Sequence, residues 1–179
     1  MRFNSHLAGG IGAGLVCAFT AELFNYTSVS TDMVADLISN PFSPNKDIII
    51  LSGVFFIAVF MALFPDLDSA SVLQRWFYRL VFLCLVVLFI GDQMGLFAAI
   101  TFISLLPVLH KHRGWTHSPV TPFILAVFII IIVELQASST RWFNGFSLQD
   151  IWESAKNNWI YIFACVLGHY SHLALDKRL

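Results

Sequence analysis

The chain has 179 residues, of which 58% are hydrophobic and only 12% are charged. Its mean hydropathy of +0.76 is far above that of soluble domains and predicts an integral membrane protein. The formal net charge of -1 leaves no basic excess, which excludes nucleic-acid binding as a function class.

The first apolar segment predicts a membrane helix that packs closely against its neighbours. It covers residues 7–24, directly after His6. Gly10 and Gly14 are four residues apart, the spacing that lets helix backbones approach each other in lipid. We therefore expect this helix inside a bundle, with His6 in its first turn.

The second apolar segment covers residues 48–64 and ends at Pro65. Asp66 and Asp68 follow at once, and carboxylates at i and i+2 of an extended segment point to the same side. At the end of a helix, such a pair is placed to bind a cation. The alternative interpretation is a solvated turn in which Asp66 or Ser69 caps the next helix.

The apolar stretch over residues 80–109 predicts two short helices. As one straight helix its thirty residues would be about 45 Å long, against a hydrocarbon core of about 30 Å. Asp92 lies in its middle, where a charge is costly in lipid. We therefore predict a tight turn at residues 91–93, and an interfacial belt of basic and aromatic side chains over residues 70–79.

The last two predicted membrane helices enclose a polar loop. Residues 119–134 form the fifth helix and residues 158–176 the sixth. In the loop over residues 137–157, Ser147 predicts the cap of a short amphipathic helix that carries Trp152 on its apolar side.

These elements predict an all-α fold, a polytopic membrane bundle of about six transmembrane helices in a single domain over residues 1–179. With six spans, the ten positive residues divide seven to three between the faces. The positive-inside rule then places both termini in the cytoplasm. The richer face carries Arg2, Arg75, Arg79, Lys111, Arg113, Lys177 and Arg178, and the other Lys46, Arg141 and Lys156.

The same span count gathers histidine and aspartate at the cytoplasmic face. Three of the six histidines lie in residues 110–118, a stretch that taken alone also fits a basic loop with incidental histidines. His169, His172 and Asp176 share one face of the sixth helix because they are spaced i, i+3 and i+7. The candidate metal ligands are His6, Asp66, Asp68, His112, His117, His169, His172 and Asp176.

Buried carboxylates and imidazoles are expensive in an apolar environment unless they are paired or bind metal. Oxygen and imidazole donors without a thiolate favour a divalent ion, zinc first, with manganese, iron or magnesium as the other candidates. The number of donors exceeds what one tetrahedral ion needs. The sequence therefore predicts one or two ions, with surplus histidines free for acid/base or supporting roles.

Four motifs resemble one known family, the bacterial inner-membrane YdjM-like proteins, which are labelled membrane-bound metal-dependent hydrolases. The motifs are His6 before the glycine-rich helix, FPDLDS at 64–69, HRGWTHS at 112–118 and GHYSHLALD at 168–176. The resemblance implies a multi-pass protein of the bacterial inner membrane with metal at Asp66, Asp68, His112, His117, His172 and Asp176. The His-x-x-x-Asp element is also similar, more distantly, to zinc-dependent phospholipases C and nucleases.

The leading hypothesis is a hydrolase in which metal-activated water attacks an ester or phosphoester of a membrane lipid or lipid-linked substrate. Asp68, His117 and Arg113 are the predicted catalytic residues, with Arg113 neutralising an anionic substrate. One alternative is a non-catalytic subunit in which metal joins helix ends. The sequence leaves the oligomeric state open. Another is a metal-ion transporter, although no continuous polar path crosses the predicted helices.

Overall fold

The structure is a computed structural model that describes residues 3–39, 45–68, 71–107, 114–137 and 147–176. Within these ranges the chain is helical and has no strand, which confirms the all-α expectation. The α-helices are α1 (Phe3–Leu23), α2 (Thr31–Ser39), α3 (Lys46–Leu63), α4 (Val72–Ile90), α5 (Met94–Leu105), α6 (Thr121–Ala137), α7 (Leu148–Asn157) and α8 (Trp159–Asp176), with short 3₁₀ helices at Phe64–Asp68 and Trp115–His117.

Three segments of the described chain are long and apolar enough to cross a membrane. They are Asn4–Leu23, Lys46–Asp68 and Val72–Ile90. Two shorter apolar helices, Met94–Leu105 and Thr121–Ile131, fall below that length. A helical membrane bundle is thus supported, and six spans remain a prediction.

The chain divides into two compact units. Unit 1 consists of Met1–Leu63 and Ile160–Leu179, and unit 2 consists of Phe64–Trp159. A single domain over residues 1–179 remains a prediction.

Unit 1 is built on close contacts between helix backbones. A Cβ added to Gly10 would lie 3.1 Å from the Val59 Cα, and one added to Gly14 would lie 2.6 Å from the Phe55 ring. These contacts confirm the predicted glycine packing, and their order shows that α1 runs antiparallel to α3. On α8, a Cβ at Gly168 would overlap the backbone of Ala58, so only glycine fits there.

Helix α4 begins eight residues earlier than predicted. The belt over residues 70–79 was expected to precede the helix, but the helix begins at Val72. Ser71 caps it by accepting a hydrogen bond from the Gln74 backbone N–H over 3.0 Å. Asp66, one of the two caps considered for this helix, is therefore not its cap, and Ser69, the other, lies outside the described residues. Long basic and aromatic side chains continue a helix to the interface because their polar ends reach water.

Helices α4 and α5 form an antiparallel hairpin in unit 2, which confirms the predicted break. The turn is at Gly91 and Asp92, and Asp92 has a positive φ of 55°. At the open end of the hairpin, the Tyr78 hydroxyl donates to the Ser104 carbonyl over 2.6 Å. A second sequence expectation is also confirmed, because Ser147 caps α7 in a capping box with Asp150.

Candidate metal centre

Two buried histidines and one partly buried aspartate, from the first and last described helices, meet in unit 1. His6 comes from the first turns of α1, and His172 and Asp176 come from the last turns of α8. The histidines are 1% and 0% exposed and the Asp176 side chain 13%. One ligand atom from each residue lies within 4.8 Å of the other two.

The distances in this cluster fit a shared cation. His6 Nε2 lies 3.4 Å from Asp176 Oδ1, and His172 Nε2 lies 3.7 Å from Asp176 Oδ2. Ordinary hydrogen bonds are shorter, at about 2.7–3.2 Å. Two ligand atoms bound to one tetrahedral zinc at about 2.0–2.1 Å are roughly 3.3–3.4 Å apart. Two imidazoles and one carboxylate are also the donor types that zinc prefers.

The orientation of His172 is fixed by the backbone of α3. Its Nδ1 lies 2.8 Å from the Ala62 carbonyl oxygen. A carbonyl only accepts, so Nδ1 carries the hydrogen and the neutral ring keeps its lone pair on Nε2. Nε2 is the atom that faces Asp176. This is the usual supporting arrangement of a metal-binding histidine, in which the second ring nitrogen donates to a fixed acceptor.

The local sequence explains why Ala62 can accept this hydrogen bond. Ala62 lies in the last turn of α3, where carbonyls have no donor within the helix. Pro65, three residues later, has no N–H to offer it. Gly168 of α8 lies against Ala58 of α3, and four residues later in both helices His172 contacts Ala62. Helices α3 and α8 therefore run in the same direction here.

A second polar cluster lies in unit 2 and joins the two 3₁₀ helices. The Thr116 hydroxyl donates to Asp68 Oδ2 over 2.7 Å. His117 Nδ1 lies 3.5 Å from the same oxygen and 3.2 Å from Thr116 Oγ1. The Asp68 side chain is fully buried and that of His117 is 11% exposed. A carboxylate oxygen of Asp66 lies within 4.8 Å of a ring nitrogen of His117.

The hydrogen bonds of this cluster determine which nitrogen of His117 carries the hydrogen. Thr116 has one hydroxyl hydrogen and gives it to the Asp68 carboxylate. In its contact with His117, Thr116 must then accept, so the His117 Nδ1 donates. The neutral ring keeps its lone pair on Nε2. Thr116 thus contacts both Asp68 and His117, and Nε2 is the nitrogen of His117 that could accept a proton or bind a metal.

The turn that carries Thr116 and His117 is held by neighbouring contacts in unit 2. The Trp115 ring packs edge-on against Phe64, with centroids 5.9 Å apart. The Thr121 hydroxyl donates to the Trp115 carbonyl. Gln74 Nε2 donates to the Leu67 carbonyl over 2.9 Å, which ties the first 3₁₀ helix to α4. Both 3₁₀ helices that carry the cluster are therefore held in place by contacts outside it.

A family model described as YdjM inner membrane protein matches residues 1–177. The chain belongs to the YdjM family. The match covers nearly the whole chain and confirms the resemblance found in the four motifs. The YdjM description also supports membrane location, in agreement with the apolar helices. Neither the curated proteins nor the solved structures contain a match to this chain.

The remaining YdjM motif residues are placed as follows. His169 is buried on α8, one turn before His172, and is not brought into the group of His6, His172 and Asp176. His112 and Arg113 lie outside the described residues.

Sequence reasoning missed two groups that orient the histidines of this YdjM protein. The Ala62 carbonyl is a backbone atom and carries no side-chain signal, although the proline three residues later points to it. Thr116 stands within the histidine-rich stretch and was given no role. A hydroxyl next to a candidate ligand histidine, in a chain with a distant buried carboxylate, is the signal that could have identified it.

Proposed function

We propose that the protein is a membrane-bound, metal-dependent hydrolase that cleaves an ester or phosphoester of a lipid or lipid-linked substrate. The proposal rests on one observation, the convergence in unit 1 of His6, His172 and Asp176, with ligand atoms within 4.8 Å of one another and both histidines buried. Three protein ligands leave a fourth position of a tetrahedral ion for water or substrate, which is the pattern of catalytic zinc sites. Membership of an inner membrane protein family supports a membrane substrate.

Zinc is the proposed ion, with manganese, iron and magnesium as weaker candidates, because the donors are imidazole and carboxylate without thiolate. When bound, a divalent ion supplies Lewis acidity that polarises the scissile bond and acidifies water. Asp66, Asp68 and His117 of unit 2 offer a second set of the same donor types, so we propose one or two ions. His112 and His169 complete the proposed ligand set.

The residues of the chain have distinct proposed roles. His6, His172 and Asp176 hold the ion, and the hydrogen bond from His172 to Ala62 keeps Nε2 directed to it. Asp68, acting through Thr116, holds His117 in the form that accepts a proton at Nε2 and later returns it to the leaving group. We propose that Arg113 neutralises the anionic part of the substrate.

We propose a multi-pass topology of about six spans in a bacterial inner membrane, with both termini in the cytoplasm and the substrate entering from the cytoplasmic leaflet. Two observations support it. With six spans, the positive residues divide seven to three between the faces, which favours a cytoplasmic location for both termini. Within unit 1, the beginning of α1 and the end of α8 lie together, since His6 contacts Asp176.

The test is hydrolysis of phospholipids by the purified protein in liposomes, with bound metal measured by mass spectrometry. We expect zinc to copurify, chelation to stop turnover, and Asp176→Ala to lose both metal and turnover. Asp92→Asn is the matched control because Asp92 is exposed in the α4–α5 turn. A metal-free wild-type protein, or turnover that survives Asp176→Ala, would contradict the proposal.

A second candidate function is a non-catalytic subunit in which the ion joins α1 to α8. The nearly complete burial of His6 and His172 favours it, because a buried ion is less accessible to the water and substrate that a catalytic site must admit. In that case chelation would lower the unfolding temperature while no lipid is turned over under any metal condition. Transport, the third possibility, gains no support from Glu22, whose carboxylate accepts hydrogen bonds from Thr27 and Val29 in the loop after α1.

A further inference from the structure

Unit 2 contains an apolar groove next to the turn that carries Thr116 and His117. Its volume is about 890 Å³, within the roughly 300–1,000 Å³ range of small-molecule sites. Side chains from the end of α5, from Trp115 and from the first half of α6 line it. Among the described residues, all nine that line the groove are apolar.

We propose that this groove binds an acyl chain of a membrane lipid, with Trp115 at the end where the chain meets the lipid's polar part. The inference rests on the proposed function, for which it identifies the apolar portion of the substrate. None of the residues that line the groove has a proposed catalytic or metal-binding role. The groove is linked to the proposed catalytic residues only because Trp115 precedes Thr116 in the chain.

The chemistry of the lining favours hydrocarbon over the other possible occupants. A polar ligand would lose its hydrogen bonds to water in a groove whose lining is almost wholly apolar. A transmembrane helix of another copy would pack best against small residues. The contact of α1 with α3 through Gly10 and Gly14 has that character, whereas the groove presents bulky side chains such as Phe102 and Phe128.

The fixed position of Trp115 connects the groove to the polar cluster. Its ring lines the groove and packs against Phe64, and its carbonyl accepts from Thr121. Thr116, the next residue, donates to Asp68. Tryptophan is favoured where hydrocarbon gives way to polar groups. A lipid whose chain reaches Trp115 would therefore bring its ester region beside Thr116 and His117.

The test is photocrosslinking in liposomes with phosphatidylcholine that carries a diazirine on one acyl chain, followed by peptide mapping. In the wild type we expect label concentrated on α5 and α6. Helix α4 is an internal control, because its outer face is also apolar and exposed, for example at Val87. General contact with bulk lipid would label α4 equally and would overturn the proposal.

Two matched substitutions sharpen the result. Val127 is 49% exposed and lines the groove, whereas Val87 is 68% exposed and does not. We expect Val127→Trp to fill the groove and lower the labelling of α5 and α6 several-fold, while Val87→Trp leaves it unchanged. Equal labelling of α5 and α6 in the two variants would overturn the proposal.

The same liposomes separate this inference from the proposed hydrolysis. Groove labelling that responds to Val127→Trp in a protein with no turnover upholds the acyl-chain site and counts against the hydrolase. Turnover without any preferred labelling of α5 and α6 supports the hydrolase and overturns the acyl-chain site. The labelling map of the wild type needs no variant, so a Val127→Trp protein that fails to fold still leaves a decisive measurement.

Discussion

His172 donates the hydrogen on its Nδ1 to the carbonyl oxygen of Ala62, over 2.8 Å, and in doing so presents Nε2 to Asp176. One ring thus performs two functions that substitution can separate. Nδ1 joins α8 to α3, and Nε2 is the proposed metal ligand. A substituted side chain that can still donate to Ala62 but has no atom in place of Nε2 separates the packing role of His172 from its proposed metal binding.

His172→Asn is the substitution that does this, because an asparagine amide can donate to Ala62 but has no atom at the Nε2 position. We expect bound zinc to fall by at least about 10-fold, with the unfolding temperature in chelator close to that of the wild type. His172→Ala should lose the metal as well and unfold more easily by about 1–3 kcal/mol, since the Ala62 carbonyl loses its donor. Full zinc content in His172→Asn would show that Nε2 is not a ligand.

Thr116→Val removes a hydroxyl while preserving shape. Asp68 is buried and would lose the hydrogen bond from Thr116, so we expect a loss of stability of about 1–3 kcal/mol and a lower turnover of lipid substrate. Thr116→Ser keeps the hydroxyl and should restore both. Thermal unfolding and turnover are measured on the wild type and both variants. A valine variant with wild-type stability and turnover would show that Thr116 does not link Asp68 to His117.

Gly168→Ala should disrupt the contact of α8 with α3. The added methyl would overlap the Ala58 backbone, which cannot move aside as a flexible side chain would. We expect destabilisation of about 1–3 kcal/mol from overpacking and a parallel loss of zinc, because His172 lies one turn away. Gly12→Ala is the control, since nothing lies within 4 Å of its added Cβ, and it should remain within about 0.5 kcal/mol of wild type.

Single cysteines at Ser5 and Ser28 test the proposed topology. Both residues are exposed, and they lie near opposite ends of α1, whose 21 residues extend about 31 Å. In a background with Cys17, Cys84 and Cys165 replaced by alanine, an impermeant maleimide should label Ser5→Cys only in inverted membrane vesicles. Ser28→Cys should react only in right-side-out vesicles. Labelling of both in the same vesicles would contradict a membrane-spanning α1.

The parts of the fold that sequence predicts well are those governed by local physics. Asp92 in the middle of an apolar stretch predicted the turn between α4 and α5, and Ser147 predicted the start of α7. The start of α4 was wrong because Arg75, Trp76 and Arg79 suggested a separate belt, although Ser71 was available as a cap. A polar residue near a helix end does not by itself say whether the helix continues through it.

The approach of His172 to Asp176 was predictable from the sequence, whereas the groups that orient the histidines were not. The i, i+4 spacing of His172 and Asp176 indicates a shared helix face, and in the structure their side chains approach to 3.7 Å. The acceptor for His172 is a backbone carbonyl made available by the end of α3, which depends on tertiary packing. Similarly, the partner of Thr116 lies 48 residues away, and no local pattern connects the two.

The contact between His6 and Asp176 joins the two ends of the described chain. During synthesis at 5–20 residues per second, His6 is therefore made roughly eight to thirty-five seconds before Asp176. The α4–α5 hairpin, whose contacts are local, can form long before that. Capture of the proposed ion at His6, His172 and Asp176 would consequently be among the last events of biogenesis.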